Sequence, residues 1–239
     1  MNIEIWSDIA CPFCYIGKKR FEEALEQFAG KEDVQVVYRS FELDPNAAKD
    51  VPMDVYDMLA NKYGISREQA VAMNQNVAEQ AKSVGIPFHF DKMILTNTFN
   101  AHRLSHLAAE HDRMDEMLSR LFQAYFTDSL HIGDADTLIR LATEVGLDEE
   151  EVKQMLASDA YSDEVRADEQ EAANLGIRGV PYFVINRKFG ISGAQPVSFF
   201  LQALEKAKQE EQPLTVLNEE QSNAVCEDGT CTPPSTKSN

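Results

Sequence analysis

Cysteine is scarce in this chain: four among 239 residues, at positions 11, 14, 226 and 231. So few cannot staple a chain of this length into a disulfide scaffold, and their close pairing points to catalysis or metal instead. Basic residues are also few, 22 against 40 acidic ones, for a formal charge of −18. Such a field repels a phosphate backbone, so nucleic acid is not an expected partner. Its plainest reading is a solvated acidic surface. No apolar run approaches the ~20 residues that span a bilayer, so no membrane partner is expected either. The opening residues, Met1-Asn2-Ile3-Glu4-Ile5-Trp6, lack the basic flank and apolar stretch of a secretory signal, which points to a cytosolic protein.

What the chain does contain is the balance of a globular protein, 44% hydrophobic and 26% charged. Residues 2–7 alternate around Ile3 and Ile5 and read as a strand. Phe21, Ala24, Leu25 and Phe28 follow at helical spacing, and Gly30 is expected to close that helix. Val34 to Phe41 is β-branched and aromatic, a second strand, so these elements read as a β-α-β unit with a right-handed crossover between parallel strands. From Pro52 the period turns helical for over a hundred residues. Ser66 with Gln69 fits a capping box for a helix ending near Gly85, Asp148 an N-cap, and Gly176 a helix stop. Leu104, Leu107, Ala108 and His111 mark one buried helical face, and Leu138, Leu141, Ala142 and Val145 another.

Strand signals return as Tyr182–Ile185 and Lys188–Ile191 around an Asn186-Arg187 turn, before a helix over about 196–208. The expected organisation is α/β: one domain built from 1–52 and 176–212, a large helical insertion over 53–175, and a polar tail over 213–239.

The chemistry starts at Cys11-Pro12-Phe13-Cys14, where a strand ends and a helix begins. Proline suits the first helical position, which has no use for an N–H. Cys11 then becomes the N-cap, where first-turn amides and roughly half a positive charge favour a thiolate. This predicts an exposed, attacking Cys11 and a more buried, resolving Cys14. Phe13 adds no charge, so the thiolate stabilisation is less extreme than a histidine there would give. Tetrahedral zinc is the rival for two cysteine pairs, but Cys226 lies more than two hundred positions beyond Cys14 and a Cys-Pro-x-Cys helix start is a poor zinc knuckle. The second landmark is Gly179-Val180-Pro181-Tyr182 ahead of a strand, a candidate cis turn that would present the Val180 backbone to an extended substrate.

Taken together, these elements resemble the DsbA family of thioredoxin-fold oxidoreductases. Ser7 to Gly17 (SDIACPFCYIG), Arg39 to Pro45 (RSFELDP), Asn97 to Leu104 (NTFNAHRL) and Gly179-Val180-Pro181 are similar to its FrnE-like branch. The resemblance covers about residues 2–208. It implies a thioredoxin-like fold, a cis Pro181 facing the dithiol, and protein disulfide oxidoreductase or isomerase activity. A related branch holds kappa-type glutathione transferases and hydroxychromene-carboxylate isomerases, in which a serine commonly stands at the position of Cys11.

The candidate catalytic set is thus Cys11, Cys14 and Pro181, with Pro12, Phe13, Val180, Asn100 and His102 as substrate contacts. Arg103 falls in the same stretch as the last two. His102 and His106 lie one helical turn apart, a metal-compatible spacing without a third ligand, so no metal is expected. Arg39 reads equally as a strand-end charge or a substrate contact. Cys226 and Cys231 form a second pair across a glycine-containing turn. Some 16 residues of tail span roughly 20–24 Å, enough to reach the first pair, so an auxiliary thiol relay is expected. The expected partners are protein thiols and disulfides, with glutathione or a thioredoxin-type protein as reductant, and no organic cofactor is required.

Overall fold

The computed structural model describes residues 1–211. A four-stranded sheet runs in the order β2-β1-β3-β4, where β1 is Asn2–Ser7, β2 Gln35–Ser40, β3 Tyr182–Ile185 and β4 Phe189–Ser192. β1 pairs parallel to β2, with Ile3 opposite Val36, and antiparallel to β3, with Ile5 opposite Phe183. Helix α1 (Pro12–Gln27) makes the crossover between β1 and β2. Between β2 and β3 come α2 (Val55–Tyr63), α3 (Arg67–Lys82), α4 (Phe99–Glu110), α5 (Met114–Phe126), α6 (Ala135–Glu144), α7 (Glu149–Leu156) and α8 (Ser162–Asn174). The last helix, α9, spans Val197–Glu211.

The sheet is covered on both faces, more than the half-buried pattern of β1 implies. Ile3 and Ile5 face α1 and α9, where Phe21, Phe183 and Phe200 close a ring cluster with centroids 4.7–5.7 Å apart. Trp6 and Val184 face the other way, against Ala172 of α8 and Ile177. Trp6 donates its indole N–H to the Asp168 carbonyl at 2.9 Å. Glu4 shares that second face and is buried because Arg39 and Arg187 both reach its carboxylate. An ionised carboxylate is tolerated there because its charge and lone pairs are met.

Helix termini follow the sequence with two exceptions, and one strand start differs. The Ser66–Gln69 capping box is complete, and the Asp148 carboxylate accepts the Glu151 N–H as its N-cap. Gly176 adopts φ +73, the left-handed turn that ends α8. Gly30 does not close α1: the helix ends at Phe28 in an extended conformation, and Gly30 sits at φ −114. Its hydrogen side is instead occupied by Phe28 and Lys208, so close approach, not handedness, fits a glycine there. His111 is the exposed cap residue of α4, paired with Glu151 at 2.9 Å, not part of the buried face. At the hairpin, β4 begins at Phe189, since Asn186 and Arg187 both turn left-handed, at φ 51 and 54.

Two features tie α1 to the helical insertion. Tyr15 stacks on Phe122 of α5, with centroids 5.1 Å apart and planes 8° from parallel. Lys18, one turn further, is 2% exposed and bonds Tyr38 at 3.2 Å, with Glu22 and Asp115 as ion-pair partners. Burial works against its charge, but Tyr38, Asp115 and Glu22 outweigh that and hold the ammonium firmly protonated. Phe122 is fully buried at this junction. Phe122→Ala is expected to cost about 3–5 kcal/mol through lost burial and a residual cavity; urea unfolding monitored by Trp6 fluorescence measures it, and a loss below about 1 kcal/mol would refute the junction.

Candidate active site

Cys11 is the N-cap residue of α1 in an extended conformation, Pro12 is the first helical residue, and Cys14 closes the first turn by donating its N–H to the Cys11 carbonyl at 3.0 Å. The Cys11 N–H in turn binds the Asp8 carbonyl at 3.0 Å, which fixes the corner between β1 and α1. Both sulfurs are free thiols. The Cys11 sulfur does not bond the first-turn amides: no side-chain cap is made, and the thiol points to the Val180 carbonyl oxygen, Sγ to O 3.6 Å. Nor is Cys11 exposed as expected; it retains 5% exposure against 2% for Cys14. As a thiol it has a proton to donate to a carbonyl, which the amides cannot accept; the helix-end field acts once that proton leaves.

The Val180–Pro181 peptide is cis. Pro181 accepts the Gly193 N–H at 2.8 Å through its carbonyl, so the turn is pinned to the end of β4. On its inner side lies Gly17, a residue that sequence reasoning passed over. A methyl group at Gly17 would meet the Pro181 ring at 3.0 Å and Ala194 at 3.4 Å. A glycine inside a helix costs about 1 kcal/mol relative to alanine, so its presence two residues past Tyr15 was the available signal.

Cys11, Pro12 and Phe13 form part of the wall of a cavity of about 570 Å³. The opposite wall comes from the stretch after β2 (Leu43, Val51), from α2 and α3 (Leu59, Met73) and from Met93 and Phe126. The rim is apolar and open: Phe13 is 39% exposed, Leu43 46% and Tyr63 58%. A volume of this size suits a small organic group or a few side chains. Cys14 lies behind Cys11. Burial pushes its thiol well above the ordinary value, the Cys11 sulfur pushes it further as bond partner and charge, and the Ser7 hydroxyl and Asp8 backbone offset only part.

Asn100 and His102, expected as substrate contacts, stand away from this cavity. Asn100 accepts from Arg103 at 2.9 Å, and Arg103 is spent on the carbonyls of Met155, Ser158 and Ala160. His102 is 2% exposed and faces Asp8 at 3.4 Å. His106 turns elsewhere, to Ser40 at 3.0 Å and Asp168 at 3.3 Å, so the two imidazoles do not share a ligand position. No cluster of three or more His, Cys, Asp or Glu suited to a metal occurs among the described residues. Arg39 resolves as an ion pair within the sheet, bonded to Glu4 at 3.0 Å and Asp168 at 3.1 Å. Cys226 and Cys231 lie outside the described residues.

The cavity reaches Cys11 and not Cys14, which predicts selective chemistry. Brief iodoacetamide treatment of the reduced protein near pH 7 is expected to label Cys11 and to spare Cys14, read by peptide mass spectrometry. Equal labelling of the two would contradict this geometry.

The comparisons with known proteins agree with this arrangement. Residues 2–205 match the family model of the DSBA-like thioredoxin domain. The uncharacterized protein YwbO of Bacillus subtilis (strain 168) is 33% identical over 187 residues, 77% of this chain and 86% of that protein. The crystal structure of a "probable DsbA oxidoreductase", SCO1869 of Streptomyces coelicolor, superposes with a TM-score of 0.86 at 47% identity, covering 98% of this chain and 100% of the other. A 2-hydroxychromene-2-carboxylate isomerase shares the fold alone, with a TM-score of 0.66 at 14% identity over 88% of this chain and 97% of that one. The strand–dithiol–helix corner, the cis turn opposite it and the matched length of chain therefore agree: the chain belongs to the DSBA-like thioredoxin domain family.

Proposed function

We propose that this chain is a thiol–disulfide oxidoreductase or protein disulfide isomerase that works through Cys11 and Cys14. The observation that carries the reading is the Cys11 sulfur at the start of α1, opposite the Val180 carbonyl and open to a cavity, with Cys14 buried one turn behind. Family membership and the likeness to SCO1869 support it.

The Cys11 thiolate attacks one sulfur of a substrate disulfide. A bond forms between Cys11 and that sulfur, the substrate S–S bond breaks, and the other substrate sulfur leaves as a thiolate. Cys14, once its proton is lost, attacks the Cys11 sulfur, frees the substrate thiol and leaves the Cys11–Cys14 disulfide. Two electrons have then passed from the dithiol to the substrate. Glutathione or a thioredoxin-type protein returns them, and no organic cofactor enters. The Val180 backbone offers an extended substrate a strand-like edge, while Pro12 and Phe13 give its side chains an apolar surface. We place the protein in the cytosol, on the scarcity and close pairing of its cysteines. There the thiol pool favours reduction or isomerisation over net oxidation. Cys226 and Cys231 act, in this reading, as the auxiliary pair.

A second reading, a glutathione-dependent isomerase of small molecules, draws on the cavity beside Cys11 and on the shared fold. It is separated from the first by Cys14. Disulfide exchange predicts that Cys11→Ser lowers insulin reduction to the uncatalysed rate and that Cys14→Ser accumulates a mixed disulfide with substrate. Full turnover in Cys14→Ser with glutathione would favour the isomerase. Cys226→Ser and Cys231→Ser are expected to slow thiol exchange in stopped-flow; unchanged rates remove the relay and leave the main reading intact.

A further inference from the structure

Three residues before Cys11 is a carboxylate that the exchange chemistry does not use. Asp8 is 1% exposed, and its Oδ1 accepts the Ala10 N–H at 3.2 Å while its Oδ2 accepts the Leu43 N–H at 2.8 Å. Its remaining partner is the His102 imidazole, Nε2 to Oδ1 3.4 Å. Asp8 lines the same cavity as Cys11, and its own carbonyl holds the Cys11 amide. His102 lies on the far side, on α4, and is itself 2% exposed. A buried carboxylate beside a sulfur that must become an anion is unfavourable unless its charge is met. Backbone amides supply dipoles but no net charge.

We propose that Asp8 and His102 form a buried pair that shares one proton and thereby keeps the wall behind Cys11 electrically neutral, making both of them positioning residues for its thiolate. This deepens the dithiol reading and rests on it. Several charged groups face the pair. Glu42, 5% exposed, interacts with the His102 charge and is held by Arg166. Glu169 shares Arg166 and takes the Glu42 N–H. Tyr125 of α5 feels the Asp8 charge and, through burial first and that charge second, is kept neutral. With these in place, the two halves of the pair act on the sulfur with opposite sign. Asp8, which shares the cavity wall with Cys11, disfavours the thiolate, and His102, outside that wall, cancels the effect.

The test is the pH dependence of Cys11 alkylation in the full chain, read at Cys11 by mass spectrometry. Asp8→Asn keeps a side chain that can accept an N–H and removes the charge. Its midpoint is expected to fall, giving about three- to tenfold faster labelling on the acid side. His102→Gln keeps a donor and removes the titrating ring. Its midpoint is expected to rise, with labelling slower by a similar factor. The glutathione equilibrium should move in parallel, toward the dithiol in Asp8→Asn and toward the disulfide in His102→Gln. A purely structural corner would move both variants the same way or move neither midpoint, and either result overturns the pair. Should Asp8→Asn fail to fold, His102→Gln alone decides: acid-side labelling within a factor of two of the parent refutes the proposal. If the parent protein fails to reduce insulin, the oxidoreductase reading falls, while the Cys11 midpoints still judge the pair.

Discussion

The 3.6 Å contact between the Cys11 sulfur and the Val180 carbonyl joins two ends of the chain, and the geometry of the site depends on it. One partner sits at the end of β1, the other just before β3. Those strands are neighbours in the sheet only because the whole helical insertion leaves and returns between β2 and β3. The contact is close because three things coincide. The Asp8 carbonyl turns the chain sharply into α1, the cis peptide aims the Val180 carbonyl at the sulfur, and Gly17 lets the Pro181 ring settle against the helix. A side chain at Gly17 would not touch either cysteine, yet it would move the carbonyl that one of them faces.

The electrostatics of the corner run against the composition of the protein as a whole. With a formal charge of −18, the mean field disfavours any further anion. What the proposed exchange draws on at Cys11 is local: the sulfur sits at the N-cap of α1, the positive end of the helix dipole. Carboxylates close to that corner are either buried with partners, as Asp8 and Glu42 are, or belong to the outer surface. The same logic governs Glu4 on the opposite side of the sheet, where two arginines neutralise a charge that would otherwise destabilise the central strand. In both places the acid is tolerated because it is matched, not because it is exposed.

Much of the fold was legible because periodicity and turn chemistry are local signals. The capping box at Ser66, the Asp148 cap and the left-handed Gly176 depend on a few adjacent residues, and each forms as read. The failures are tertiary. Gly30 resembles a helix stop, but Phe28 and Lys208 crowd the position and the helix ends two residues earlier. His111 has helical spacing with Leu104 and Leu107, yet it falls at the helix end, where Glu151 claims it. At the site, the Cys11–Cys14 spacing could be read, whereas the pointing direction of the sulfur could not. Asn100, His102 and Arg103 were visible as a polar stretch. Whether they faced a ligand or the carbonyls of α7 and the carboxylate of Asp8 depended on the rotation of α4 about its axis, set by packing distant in sequence.

The helical insertion gives the corner its second function-bearing surface. On the β3 side, Cys11 meets the Val180 carbonyl, a backbone edge that in the proposed exchange pairs with an extended substrate, and main-chain pairing is indifferent to sequence. On the other side it meets side chains of α2, α3 and the segment following β2, where shape and polarity discriminate. In the proposed exchange, the thioredoxin-like half supplies the chemistry and the insertion supplies the wall that selects what reaches it. That division is compatible with a remote isomerase sharing the fold, since a fold does not dictate the reaction it carries. It also explains why Tyr15 and Lys18, which take no part in exchange, are buried so thoroughly. They hold α5 and β2 against α1, and so fix the distance between the dithiol and the wall of the cavity beside it.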